Sequence, residues 1–120
     1  MARQVIEKRT ADNRIFTVDC RGVLGVGETI TNVASLAVDA GGVTFGAAIV
    51  NAAPVLLTDD NGVAYDTVPI GQAFQAKFIG GTIPAGFKLL LCVARAQLQT
   101  SVNINVEATF GIRLLDNPIF

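Results

Sequence analysis

Catalysis at neutral pH most often relies on a group that exchanges protons near pH 7, and this chain of 120 residues contains no histidine to supply one. The same gap removes the usual zinc ligand and every Ser-His or Cys-His nucleophilic pair. Two serines are present, Ser35 and Ser101. Neither stands in the Gly-x-Ser-x-Gly elbow that lifts a nucleophile between a strand and a helix. The two cysteines, Cys20 and Cys92, lie far apart in sequence, a spacing compatible with a bridge between two sheets. The chain has no tryptophan to pack on such a bridge. Synthesis in the cytosol also favours reduced thiols, so the two are read as small apolar side chains.

Other clusters read as structure rather than chemistry. Gly22-x-x-Gly25-x-Gly27 and Gly41-Gly42-x-x-x-Gly46 lack the spacing of a phosphate-cradling loop, and no helical pattern follows them. Asp59, Asp60 and Asn61, with Asp66 nearby, offer oxygen ligands but not the alternating acids and closing Glu of a calcium loop. They read as a solvated hairpin tip. A carboxylate pair for glycoside hydrolysis has no aromatic-rich groove to serve. The sequence therefore predicts no catalytic residue, no cofactor and no metal.

Composition narrows the partners. Only 16% of residues are charged and 51% are apolar, against about 25% charged in ordinary soluble domains. Some surface is therefore expected to be covered by a partner or by copies of the chain. A net charge of −1 gives no global field for nucleic acid or an anionic membrane. Residues 1–21 nevertheless hold five basic side chains (Arg3, Lys8, Arg9, Arg14, Arg21) against three acidic ones, while the remainder is acidic. The polar start, Met1 to Arg9, carries no secretion-signal pattern. No apolar run approaches the ~20 residues of a membrane-spanning helix.

The elements that must position any surface are strands. Val102, Ile104, Val106, Ala108, Phe110, Ile112 and Leu114 alternate with polar or small residues, a period of two that no helix accommodates. Phe74, Ala76 and Phe78 repeat the pattern, and Gly80-Gly81 to Gly86 make a turn region. From Phe87 to Ala96 both faces are apolar, as in a strand covered on both sides or one whose register a bulge switches. Ile15–Cys20, Thr29–Val38 and Val43–Val50 read as further strands. Val55–Leu57 and Val63–Tyr65 read as a hairpin closed by Asn61-Gly62. Seven to nine short strands without a helical period predict one all-β domain over residues 1–120, a sandwich or a barrel.

Several stretches resemble a family of small immunoglobulin-like phage proteins described as fibre-tail adaptors. They are Lys8 and Asp12, then Ile15-Phe16-Thr17-Val18-Asp19, Leu24-Gly25-Val26-Gly27-Glu28-Thr29-Ile30-Thr31 and Gly42-Val43-Thr44. Phe78-Ile79-Gly80-Gly81-Thr82, Gly86-Phe87 and the long final alternation complete the match. Relatives commonly carry a Trp near Ser35-Leu36 and a Gly where this chain has Gln99-Thr100-Ser101. The resemblance implies an immunoglobulin-like β-sandwich of antiparallel strands, made in the host cytoplasm and built into a virion. It would join a tail or baseplate to tail fibres and contact copies of itself, with no nucleic acid, membrane, cofactor or catalytic residue. A capsid decoration or head-tail completion protein is the alternative in the same class, and a secreted or surface binding module is the alternative outside it. Expected contact residues are the basic N-terminal Arg3, Lys8, Arg9 and Arg14, the outer face of Leu90, Cys92 and Ala94, and the terminal Ile119 and Phe120.

Overall fold

A computed structural model describes residues 4–58, 62–102 and 105–116. Ten strands follow one another along them. They are β1 (Val5–Arg9), β2 (Ile15–Asp19), β3 (Ile30–Val38), β4 (Thr44–Phe45), β5 (Ile49–Val50), β6 (Val55–Thr58), β7 (Ala64–Val68), β8 (Ala73–Ile79), β9 (Leu89–Thr100) and β10 (Val106–Leu115). The helical content among the described residues is one short 3-10 turn at Arg21–Val23. No helix among them is long and apolar enough to cross a membrane. One sheet has the order β1-β10-β9-β3, a second runs β2-β8-β4 with β5 also on β8, and β6 and β7 form a two-stranded hairpin. The all-β expectation holds.

Alternation along β8 and β10 sets the interior. Phe74, Ala76 and Phe78 of β8 face Ala108, Phe110, Ile112 and Leu114 of β10, and all seven are buried in one cluster. Phe78 is the centre of its aromatic part, with ring centroids 4.9 Å from Phe16, 5.0 Å from Phe45 and 6.0 Å from Phe110. Phe74 lies 6.4 Å from Phe110 at an edge-to-face tilt. Each buried ring contributes on the order of 2–3 kcal/mol by leaving water. Small residues on the same inner faces, Ala76, Ala94, Ala96 and Ala108, leave room for the rings and keep the two sheets close-packed. Val102 stands exposed before β10, so the final alternation enters the core only from Val106. Val43–Val50 divides into the two-residue strands β4 and β5 instead of one continuous strand.

Pairing is antiparallel everywhere except at the edge, where β1 runs parallel to β10 with Ile6 opposite Ile112 and Lys8 opposite Leu114. This departs from an all-antiparallel arrangement. The two strands lie at opposite ends of the described chain, so no short hairpin dictates their relative direction. The β6–β7 hairpin closes a second small core of Leu57, Val68 and Ala73. Arg21 fastens that hairpin, holding Asp19 of β2 at 2.7 Å and Asp66 of β7 at 2.6 Å. The tip at Asp59, Asp60 and Asn61 lies outside the described residues.

At one end of the sandwich the backbone turns against core side chains. Gly41 has φ +83°, and a Cβ there would stand 2.8 Å from Leu114 Cδ1 and 2.9 Å from Cys92 Sγ. Its neighbour Gly42, φ +67°, has open space around it. Gly41→Ala therefore combines left-handed strain with overpacking and is expected to cost about 2–4 kcal/mol. Gly42→Ala bears the strain alone, about 1 kcal/mol. Urea unfolding of the two variants checks this difference; equal losses would show that the contact with Leu114 and Cys92 is not tight.

Candidate protein-docking site

The expected contact residues do not share one surface. Lys8 alternates with Glu7 and Arg9 along β1 and points inward, with 1% of its surface exposed. Its Nζ donates to Gly80 O at 2.6 Å, Arg9 O at 3.0 Å, Thr10 O at 3.4 Å and Asn13 Oδ1 at 3.5 Å. Lys8 is therefore a clasp between the β1–β2 turn and the end of β8, not a contact residue. Period two along β1 places it on the same face as Ile6. Arg9 reaches Asp116 O at 2.8 Å. Arg14 pairs with Asp12, whose carboxyl it holds below the usual range by hydrogen bonding, and it lies 6.0 Å from the Phe16 ring. The local excess of basic residues is thus largely answered within the chain. Arg3, Ile119 and Phe120 lie outside the described residues.

Strand β9 presents the face opposite to the expected one. Leu90 packs against the core, and Cys92 and Ala94 are buried in it, so all three are withdrawn as outer-face contacts. Register is the reason: Leu90, Cys92 and Ala94 stand opposite Leu114, Ile112 and Phe110, the inward set of β10, and directly opposed residues share a face. Leu89 and Leu91 are outward, the latter 68% exposed. A signal for this was present in the sequence. Arg95, Gln97 and Gln99 continue the odd-numbered row of β9, and three polar residues in that row mark it as the solvent side.

Across the sheet the outward residues line up in rows. Val5, Gly111 and Val93 form one; Glu7, Arg113 and Leu91 the next; Arg9, Leu115 and Leu89 the third. The result is an apolar patch of Val5, Val93, Leu91, Leu89 and Leu115, flat at Gly111, with the Glu7–Arg113 ion pair at 3.3 Å set within it. Phe87, also exposed, precedes the strand. Farther along, the same face turns polar, with Gln97 donating to Glu107 at 2.9 Å and Arg95 beside the same carboxylate.

A second exposed apolar group sits on the loops at the far end of β9. Val23, Val26, Ile70 and Val102 are all exposed there. Their loops are tied together: Ile30 N–H donates to Gly71 O at 2.7 Å, Ser101 N–H to Thr29 O at 2.8 Å, and Cys20 N–H to Gln72 O at 3.0 Å. Buried Glu28 completes the tie, accepting from Gly25 N–H at 2.8 Å and from the Thr100 hydroxyl. Sequence reasoning missed Glu28, because a lone Glu in a glycine-rich loop reads as solvated.

Among the described residues, no group of three or more His, Cys, Asp or Glu is placed to hold a metal ion. Cys20 and Cys92 are free and buried. Cys20 belongs to the Gln72 end of the sandwich and Cys92 to the Gly41 end. The chain matches no family model, no curated protein and no solved structure.

Two predictions follow from these buried groups. Burial pushes the Cys20 thiol up to about 12 and raises that of Cys92, so at pH 8 neither reacts with a thiol reagent until the chain unfolds. Thiol titration with and without urea reads this directly, and a fast-reacting native thiol would contradict the burial. Lys8→Met strands several carbonyls and is expected to lose about 2–4 kcal/mol. Burial also holds the Lys8 pKa below its ordinary 10.5, against the opposing pull of Asp12. Between the folded value and 10.5 the unfolded chain binds more protons. The stability of the parent over Lys8→Met should therefore rise with pH through that window, and unfolding curves at stepped alkaline pH measure it.

Proposed function

We propose that this protein is a structural adaptor of the phage fibre-tail kind, built on an immunoglobulin-like sandwich and acting through protein contacts rather than catalysis. The observation that carries the reading is the pair of exposed apolar surfaces on one two-sheet body, the Leu89–Leu91 patch and the Val23–Val26 loop end. Nine residue steps along β9 carry the chain from Leu91 to Thr100 at the loop end, roughly 30 Å at about 3.3 Å per residue. The two surfaces do not overlap, so each can take its own partner.

Topology supports the immunoglobulin-like part. In the constant-type version of that architecture the first, second, fifth and fourth strands form one sheet and the third, sixth and seventh the other. Here β2-β8-β4 and β3-β9-β10 fall into that order, with β1 added in parallel beside β10. Sequence resemblance supports the assignment to a virion. The three tied loops then occupy the end of the sandwich that variable domains use for binding, and the apolar patch belongs to the sheet that contains the last strand.

Imaging of purified particles with and without the protein tests the reading. A ring at the tail-fibre junction is expected, and copies spread over the shell would make it a decoration protein. Leu91→Glu and Val26→Asp each place a charge on one surface while leaving the core untouched. Each should reduce incorporation into particles at least tenfold with no change in melting temperature. Parent-like incorporation of both variants would remove these surfaces from the mechanism.

A further inference from the structure

The sandwich has two open sides where an edge of one sheet faces an edge of the other. On one side β3 borders a groove of about 510 Å³ with β4. Register shifts between Ile30 and Asn32 and between Val33 and Ser35 break its ladder, and bulges of that kind make an edge a poor template for pairing. On the other side, β1 and β2 border a groove of about 420 Å³ walled by Leu56, Thr58 and Tyr65 of the hairpin. The register of both strands is unbroken.

Backbone polarity along that second groove follows from the bonds already made. Phe78 N–H donates to Arg14 O and Cys20 N–H to Gln72 O, so the even-numbered residues of β2 turn their peptide groups to β8. Ile15, Thr17 and Asp19 turn theirs to the groove. Gly111 N–H donates to Gln4 O and Thr10 N–H to Leu115 O. By the same alternation Val5 and Glu7 of β1 present their N–H and C=O groups to the groove from the other side.

Gln4 already occupies one rung. Its Nε2 donates to Thr17 O at 3.1 Å and its Oε1 accepts from Asp19 N–H at 2.8 Å. One residue of an added parallel strand would make this same pair of bonds, donating to one carbonyl and accepting from the amide two residues on. The side-chain amide stands in for a peptide, and the next rung, Ile15 C=O with Thr17 N–H, lies along the groove beside Leu56 and Tyr65.

We propose that the β1–β2 groove receives an extended segment of a partner chain, which adds as a strand along β2 from the rung that Gln4 fills. The charges at the groove choose the segment: Glu7 is paired with Arg113 and Arg14 with Asp12, so among the described residues that line it no formal charge is left to answer. The occupant is a short extended run of uncharged apolar and Thr-like residues, held by main-chain bonds as in strand addition elsewhere. This inference rests only on the protein-binding part of the preceding reading, and it names a surface that meets the Leu89–Leu91 patch only along β1, at Val5 and Glu7.

The test uses the full chain, isotopically labelled, titrated to millimolar concentration with the capped peptide acetyl-Thr-Val-Thr-Val-Thr-amide. Amide shifts and slowed exchange are expected at Ile15 and Thr17, with smaller shifts at Leu56 and Tyr65. A peptide N-methylated at alternate residues, which cannot complete the ladder, should leave them unchanged. Thr17→Pro removes the outward N–H that β8 does not use and should abolish the response, whereas Thr17→Val should keep it. Gln4→Ala, by freeing the first rung, should tighten binding several-fold. No shift along β2, or equal binding of the N-methylated peptide, would overturn the proposal. That failure would leave the Leu91 and Val26 surfaces standing, and parent-like incorporation of those variants would in turn leave this edge standing.

Discussion

The contact between Phe78 of β8 and Phe110 of β10, centroids 6.0 Å apart, is the point at which the two sheets become one body. Phe16 and Phe45 pack on Phe78, and Phe74 on Phe110, so displacing Phe78 would loosen β2, β4 and β10 together. Such a tightly packed interior transmits strain rather than absorbing it. That rigidity is what allows loops at one end and a sheet face near the other to hold a fixed separation.

Polar clasps close the sandwich where the rings stop. Lys8 binds the carbonyls at one end, Glu28 gathers the loops at the other, and Asn51 ties the hairpin connection to β8 through Ala73 N–H, Ala53 O and Pro69 O. Each is buried, and no buried side-chain polar atom among the described residues lacks a partner. A satisfied buried bond adds about 1 kcal/mol, while a stranded group costs more. These clasps therefore act more on specificity than on net stability: alternative strand arrangements would leave them unpaired.

Surface chemistry follows the same division. Ion pairs such as Arg14 with Asp12 and Arg21 with Asp66 answer charges within the chain, leaving the described surface low in unpaired charge and apolar at the Leu89–Leu91 patch, the Val23–Val26 loops and the groove of Ile15, Leu56 and Tyr65. Such a surface gives weak long-range electrostatic steering. Much of the exposed apolar surface of this 120-residue, low-charge chain is gathered there, with Ile49, Val63 and Ile79 exposed elsewhere.

The amino-acid sequence alone determined the strand class and the inward faces of β8 and β10, because a period of two allows one buried face and the polar partners occupy the other. It also determined the lack of histidine chemistry and the positions of the main turns. β9 was less legible: with Leu, Val, Cys and Ala on both faces near its start, only pairing with β10 chose Leu91 for solvent and Cys92 for the core. Lys8 reads as a surface charge until Gly80, far away in sequence, supplies its carbonyl. Gln4 reads as an ordinary polar residue until β2 lies across from it. Local pattern fixes which side of a strand is apolar, but which edge stays open and which charge is enclosed depend on partners brought together only by the tertiary fold.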